Sequence, residues 1–250
     1  MKALILAAGQ GTRIRPTHGQ HPKCLIKLNN SDWTILDQQI HALSVAGVQE
    51  IGIVVGYEKE QIIRHVTKRH AGSLKRFRFI ENPRFAETNN IYSLWVARDW
   101  LKGSSFVALN ADVAFDSEIL PPALSSTAPI TMIVDRTWRD ETMKVAIRAN
   151  RITKMSKQIT REDFSATYIG ITVFSARIAD FFLQVIDRLI SQGQKNVFFN
   201  VGVQHLADSG IRVGYTETAG RPWAEVDDAG DLAFARLYVF PKLVTADAAA

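Results

Sequence analysis

The stretch Leu4-Ile5-Leu6-Ala7-Ala8-Gly9-Gln10-Gly11-Thr12-Arg13 constrains this chain more than any other. Lys2 to Leu6 is a short, mostly apolar run, the pattern of a central strand buried on both faces of a parallel sheet. Ala7, Ala8, Gly9 and Gly11 then remove side-chain bulk, so that backbone N–H groups can approach a ligand closely. Arg13 and Lys23 add positive charge, and an arginine can grip two phosphate oxygens at once. A tight strand-to-loop turn with solvated charges would account for a lone pair of glycines. The glycines, small residues, Arg13, Pro16 and Pro22-Lys23 together describe a cradle for a nucleoside triphosphate.

Two familiar phosphate loops fail on inspection. A Walker loop closes on Gly-Lys-Ser/Thr, whereas Gly11 is followed by Thr12-Arg13; a dinucleotide fingerprint needs a third glycine where Ile14 stands. Leu6-Ala7-Ala8-Gly9-x-Gly11-Thr12-Arg13-x-x-Pro16 followed by Pro22-Lys23 resembles instead the signature of the nucleotidyltransferases that make sugar nucleotides and CDP-alcohols. That resemblance implies a loop, Leu6 to Arg13, wrapped round the triphosphate and a lysine, Lys23, lying against the α-phosphate and leaving group.

At 250 residues the chain suits a single α/β domain, with an NTP-binding part over about 1–120, an acceptor-binding part over about 121–240 and a tail over 241–250. No apolar run of about 18 residues is present, so no membrane span is expected. The N-terminus starts on a strand pattern rather than a signal core, and a single cysteine, Cys24, fits a reducing, cytoplasmic setting. The net charge of +5 could point to nucleic acid. Its tightest cluster (Arg64, Lys68, Arg69, Lys75, Arg76, Arg78) straddles a helix-to-strand connection, however, and reads as a solvated face. Small anionic substrates explain the basic excess equally well. His18, His21 and Cys24 are spaced like metal ligands but lack a fourth partner.

Strand patterns at 51–55, 77–80 and 106–109 alternate with helical spacing at 35–45, 61–68 and 91–95. This predicts a Rossmann-like three-layer α/β sandwich with a mostly parallel central sheet and ligands at the carboxyl ends of its strands. From Pro121 onward, strands at 130–134, 143–147 and 168–174 predict a small inserted antiparallel layer over the active site. Helices at 178–190 and 197–206, a strand at 211–215 and a last helix at 231–238 follow, and Thr245 to Ala250 is expected to fray.

Triphosphate chemistry calls for a divalent cation on carboxylate oxygens. Asp112 follows the strand at 106–109 and Asp227 precedes the last helix, although either could be a turn or cap residue, as could Asp116 and Asp228. Asn110-Ala111-Asp112 and Glu225-Val226-Asp227 resemble the family's two metal-holding elements, which implies Mg²⁺ held by Asp112 and Asp227. An acceptor oxygen would then displace pyrophosphate directly, helped by Arg13, Lys23 and, if the second layer folds over the pocket, Lys144.

Asn89 and Asn90 sit where a helix cap belongs, and with Ser93 they also offer amide and hydroxyl groups to a base edge. The run Asn89-Asn90-Ile91-Tyr92-Ser93 resembles the bacterial choline-phosphate and aminoethylphosphonate cytidylyltransferases, as do Ile53 to Tyr57 and Met143-Lys144-Val145. It implies CTP as donor and a small phosphate or phosphonate as acceptor, with no nucleic-acid or membrane partner and room for a homodimer. A cationic head group needs aromatic faces and a carboxylate, for which Trp138, Tyr168, Trp223 and Glu225 are the candidates. Thr167-Tyr168-Ile169-Gly170 lacks an acidic residue expected near Thr167, leaving choline, ethanolamine, an aminoalkylphosphonate or an amino-acid amide phosphate open. Two further readings stand beside this one: a sugar-1-phosphate uridylyl- or thymidylyltransferase, and a non-catalytic nucleotide-sensing subunit.

Overall fold

Four apolar segments make a parallel half-sheet. They are β1 (Lys2–Ala7), β2 (Glu50–Val55), β3 (Phe77–Glu81) and β4 (Phe106–Asn110), paired in the order β3-β2-β1-β4. The computed structural model describes residues 1–29 and 32–243, so the tail expected to fray at Thr245 to Ala250 lies outside the described residues. Because β1 is central, its alternate side chains enter two different cores: Leu4 and Leu6 on one face, Ala3, Ile5 and Ala7 on the other.

Helices cover both faces, giving three layers. After α1 (Arg15–His18), α2 (Ile35–Val45) and α3 (Lys59–Arg69) pack on the Ile5 face through Leu36, Ile40, Leu43, Ile62 and Val66. On the Leu4 face, α4 (Asn90–Val96) contributes Ile91 and Leu94 and runs on into α5 (Arg98–Leu101). The loop after β1 is pinned by a third core, in which Ile14 and Ile26 meet Val226 and Leu232 from the far end of the chain.

The second half departs from a separate layer. After β5 (Val113–Phe115) and α6 (Leu120–Leu124), the strands β6 (Ile130–Asp135), β7 (Lys144–Arg148), β8 (Arg151–Ser156), β9 (Ala166–Phe174) and β10 (Val213–Glu217) join the same sheet. Its order is β3-β2-β1-β4-β9-β6-β10-β8-β7. The sheet is therefore mixed rather than mostly parallel: β9 runs antiparallel to β4, β6 and β7. β9 can do this because it is nine residues long and buried throughout: β6 pairs along most of its length, while β4 takes its 171–174 end and β7 its 166–167 end.

Gly170 lets β9 bend between those partners. Its φ of 88° falls in the left-handed region, and a Cβ there would come within 2.9 Å of Val113. The strand at 151–156 escapes a period-two reading because β8 carries a register shift against β7 that puts Ile152 and Met155 three residues apart.

Two helices, a short strand and a last α-helix follow. α7 (Ala176–Ser191) buries Ile178, Phe182 and Ile186, and α8 (Asn200–Asp208) packs beside it through Val203 and Leu206. β11 (Trp223–Glu225) then leads into α9 (Ala229–Phe234). β11 pairs antiparallel with β5, setting Glu225 opposite Val113. No helix among the described residues is long and apolar enough to cross a membrane.

Candidate active site

The carboxyl ends of β1 and β4 open onto a cavity of about 220 Å³, which shares Leu6, Gly9 and Asp112 with a smaller one of about 90 Å³. Leu6, Ala8 and Gly9 line the larger, and Leu6, Ala7, Gly9 and Gly11 the smaller. Thr12 is exposed and lines neither. Gly11 is required twice over: its φ is +58°, and a Cβ would lie 2.9 Å from the Lys23 side chain that crosses it.

Asp112 and Asp227 are 115 residues apart and meet through the short β5–β11 pairing, continued by a bond from the Val226 N–H to the Asp112 carbonyl at 3.0 Å. The turn carrying Asp112 is braced from α2, where buried Gln39 donates through Nε2 to the carbonyls of Asn110 and Val113 at 2.8 Å each. Gln38 donates likewise to the Phe115 carbonyl. Asp227 is fixed by its N–H donating to Asp231 Oδ2 at 2.9 Å. The neighbouring aspartates act as caps: Asp116 accepts from the Glu118 N–H, and Asp228 caps α9.

Two cations hold the carboxylates. Lys23 Nζ donates to Asp227 Oδ1 at 2.5 Å and to Asp112 Oδ2 at 3.4 Å. Arg13 reaches Asp227 Oδ2 at 2.6 Å and Glu141 at 3.5 Å. Burial pulls the Lys23 ammonium down, but Asp112 and Asp227 outweigh it and the net shift is upward. Burial also pushes the Asp112 carboxyl up, while Lys23 and Arg13 bring Asp227 down despite its own burial. Glu225 lines the same cavity, and burial, then Asp112 and Asp227, push it up to about 8.

These donors fit a hard cation. Two carboxylates converge, and Asp112 Oδ1 is buried with no hydrogen-bond partner among the described residues. No group of three or more His, Cys, Asp or Glu among the described residues is arranged to hold a metal. A pair of carboxylates suits an ion that completes its shell with phosphate oxygens and water.

Asn89, Asn90 and Ser93 all line the large cavity, and all three also serve the fold. Asn89 caps α4 through its side chain. Asn90 donates to Asn110 Oδ1 at 3.4 Å and accepts from the Phe199 N–H at 2.8 Å, and Ser93 accepts from Asn82 Nδ2 at 3.1 Å.

On the acceptor side the placements diverge. Tyr168 and Glu225 line the cavity, whereas Trp138, Trp223 and Lys144 do not. Both tryptophan faces are occupied by the chain's own cations: Arg139 lies 4.3 Å from the Trp223 ring, and Lys144 and Arg161 lie 4.7 and 4.6 Å from that of Trp138. Lys144 is correspondingly buried, donating to the carbonyls of Thr142 and Lys157 at 3.3 Å each. The lysine that reaches the cavity is Lys157, on the turn after β8, with Nζ 5.3 Å from the Phe198 ring and no salt bridge among the described residues. Sequence reading missed it together with β8. Phe85, in the segment leading to Asn89, lines the cavity as well, and so do Phe198 and Asn200, which carried no motif that could have marked them.

Residues 3–162 match the MobA-like NTP transferase domain family. The chain belongs to that family. Relatives of this MobA-like protein span nearly its whole length. It is 26% identical, over 93% of the chain and 98% of the relative, to the CTP:phosphoglutamine cytidylyltransferase of Campylobacter jejuni. It is 30% identical, over 95% and 93%, to the 2-aminoethylphosphonate cytidylyltransferase of Lancefieldella rimae. Among solved structures, the CTP:phosphocholine cytidylyltransferase of Streptococcus pneumoniae superposes with a TM-score of 0.74 at 24% identity, over 94% of this chain and 97% of that one, and so shares its fold.

Proposed function

We propose that this MobA-like transferase moves CMP from CTP onto a small phosphorylated amino-alcohol or phosphonate, of the phosphocholine, phosphoethanolamine or 2-aminoethylphosphonate type, and releases pyrophosphate. The observation that carries the reading is one cavity lined by Arg13, Asp112 and Asp227 and also by Lys157, a cation with no salt bridge among the described residues, while Lys23 bridges the two aspartates. That layout provides for two anions, a nucleotide on the glycine loop and an acceptor phosphate facing it. Names borne by full-length relatives favour CTP as the donor and a phosphorylated or phosphonate acceptor.

Asp112 and Asp227 would hold Mg²⁺, which when bound screens the triphosphate charge. Arg13 and Lys23, now paired with carboxylates, exchange them for phosphate oxygens as the nucleotide enters. Lys157 holds the acceptor anion with an oxygen toward the α-phosphorus. That oxygen is anionic at neutral pH, so positioning and charge stabilisation replace a strong general base.

The test is a matrix of CTP, UTP, dTTP, ATP and GTP against phosphocholine, phosphoethanolamine, 2-aminoethylphosphonate and glucose 1-phosphate with Mg²⁺. Pyrophosphate release is the readout and mass spectrometry identifies the product. CTP with a non-sugar acceptor should lead by about a hundredfold or more. Selective turnover of UTP or dTTP with the hexose phosphate would sink the reading.

A further inference from the structure

The acceptor wall of the active-site cavity has a second space behind it. Met143, Phe198 and Asn200 line both it and a second groove of about 250 Å³ that runs beside α8, with Met155, Val201 and Asp208 among its other walls. Asn200 stands at the junction, 5% exposed, and its Nδ2 is buried with no hydrogen-bond partner among the described residues. A buried amide donor in that state asks for an oxygen from a ligand.

The groove has a graded lining. Met143, Met155 and Phe198 make its near part apolar, and methionines adapt to chains of varied shape. At the far end Asp208 accepts from Gln204 Nε2 at 2.7 Å, while Gln204 is otherwise spent on Met155 N–H and the Thr153 carbonyl. Asn200, Gln204 and Asp208 recur every four residues along one face of α8, so the rise from Asn200 to Asp208 is about 12 Å. At about 1.5 Å per bond, a two-carbon amino-alcohol anchored at the Asn200 end cannot cover that rise.

We propose that this groove is the outer half of the acceptor site. The acceptor keeps its phosphate or phosphonate at Lys157, offers an oxygen to Asn200, and extends an apolar chain of about five or more atoms to an ammonium or amide donor at Asp208. This rests on the cytidylyl-transfer reading and extends its acceptors beyond the two-carbon head groups.

The experiment compares kcat/KM at saturating Mg²⁺-CTP for ω-aminoalkyl phosphates of two to seven carbons and for n-alkyl phosphates of equal length. The optimum should fall at five carbons or beyond, with a gain of about tenfold or more over two carbons carried by KM. Val201→Trp, whose indole would fill the groove from an exposed position, should erase that gain, and Asp208→Asn should erase the preference for an amino end. An optimum at two carbons, or a long-chain gain untouched by both variants, overturns the proposal while leaving cytidylyl transfer standing. Absence of CTP turnover with every member, alongside UTP turnover with hexose phosphates, overturns both.

Discussion

Lys23 occupies the space between Asp112 and Asp227 that a divalent cation would contest, and Lys157 lines the same cavity with no salt bridge among the described residues. These two lysines should respond differently to the same assay. Lys157→Ala is expected to raise KM for the acceptor by tenfold or more, on the order of the loss of one charge-assisted bond, and to leave KM for CTP close to its starting value. Asp112→Asn should instead lower kcat by on the order of a thousandfold while nucleotide binding falls far less. Steady-state kinetics with each substrate varied in turn separates these effects. A Lys157→Ala variant that changed only the CTP term would show that the cavity has been read in the wrong direction.

At the scale of elements, α2 links the site to the rest of the fold. Its N-terminus is a capping box in which Thr34 accepts from the Asp37 N–H and Asp37 accepts from the Thr34 N–H at 2.9 Å. Asp37 is only 1% exposed, with His65 Nε2 at 3.0 Å and Arg69 and His70 within ion-pair distance. Burial alone would raise its carboxyl, but the hydrogen bond with His65 and the nearby His70 ring outweigh that and hold it far below the ordinary range. A depressed native value contributes stability that is complete above the unfolded carboxylate range, about pH 4, and is lost as pH falls toward the native value. Asp37→Asn should thus cost about 3 kcal/mol at pH 7 and flatten the acid limb, as measured by urea unfolding at pH 7 and pH 3. An acid limb as steep as that of the parent would remove Asp37 from this role. Because Gln38 and Gln39 follow directly on α2 and brace the strand ends around Asp112, the variant should also lower kcat.

For the whole molecule, the site is a seam between the two ends of the chain: the loop after β1, the β4–β5 turn and the segment joining β11 to α9. A ligand that draws Arg13 and Lys23 onto phosphates leaves two carboxylates facing each other, so nucleotide and Mg²⁺ should bind synergistically. Thermal unfolding tests this. Mg²⁺ and CTP together should raise Tm by several degrees more than the sum of the separate shifts, on the order of 4 °C per kcal/mol at this size or somewhat less. EDTA should reverse the excess, and purely additive shifts would contradict the shared site.

Much of this molecule was legible along the chain because local physics wrote it there. The β1 run, the small residues after it and the α2 spacing each depend on neighbours within a few positions. So do the Asn89 cap and the loop that Gly11 makes possible. Those features determined a strand, a phosphate-sized loop and a family. The fates of Trp138, Trp223 and Lys144 were not local, since each depends on which cation or carbonyl the folded chain brings to it; Arg139, Arg161 and the Thr142 and Lys157 carbonyls settled them. Nor was β8 legible, because a register shift against β7 broke its periodicity and hid Lys157 with it. Sequence alone thus determined what the loop can hold, because a cradle is built from adjacent residues. Only the tertiary structure decided what else lines the cavity, because Met143, Lys157 and Asn200 become neighbours when the ends of β7 and β8 meet α8.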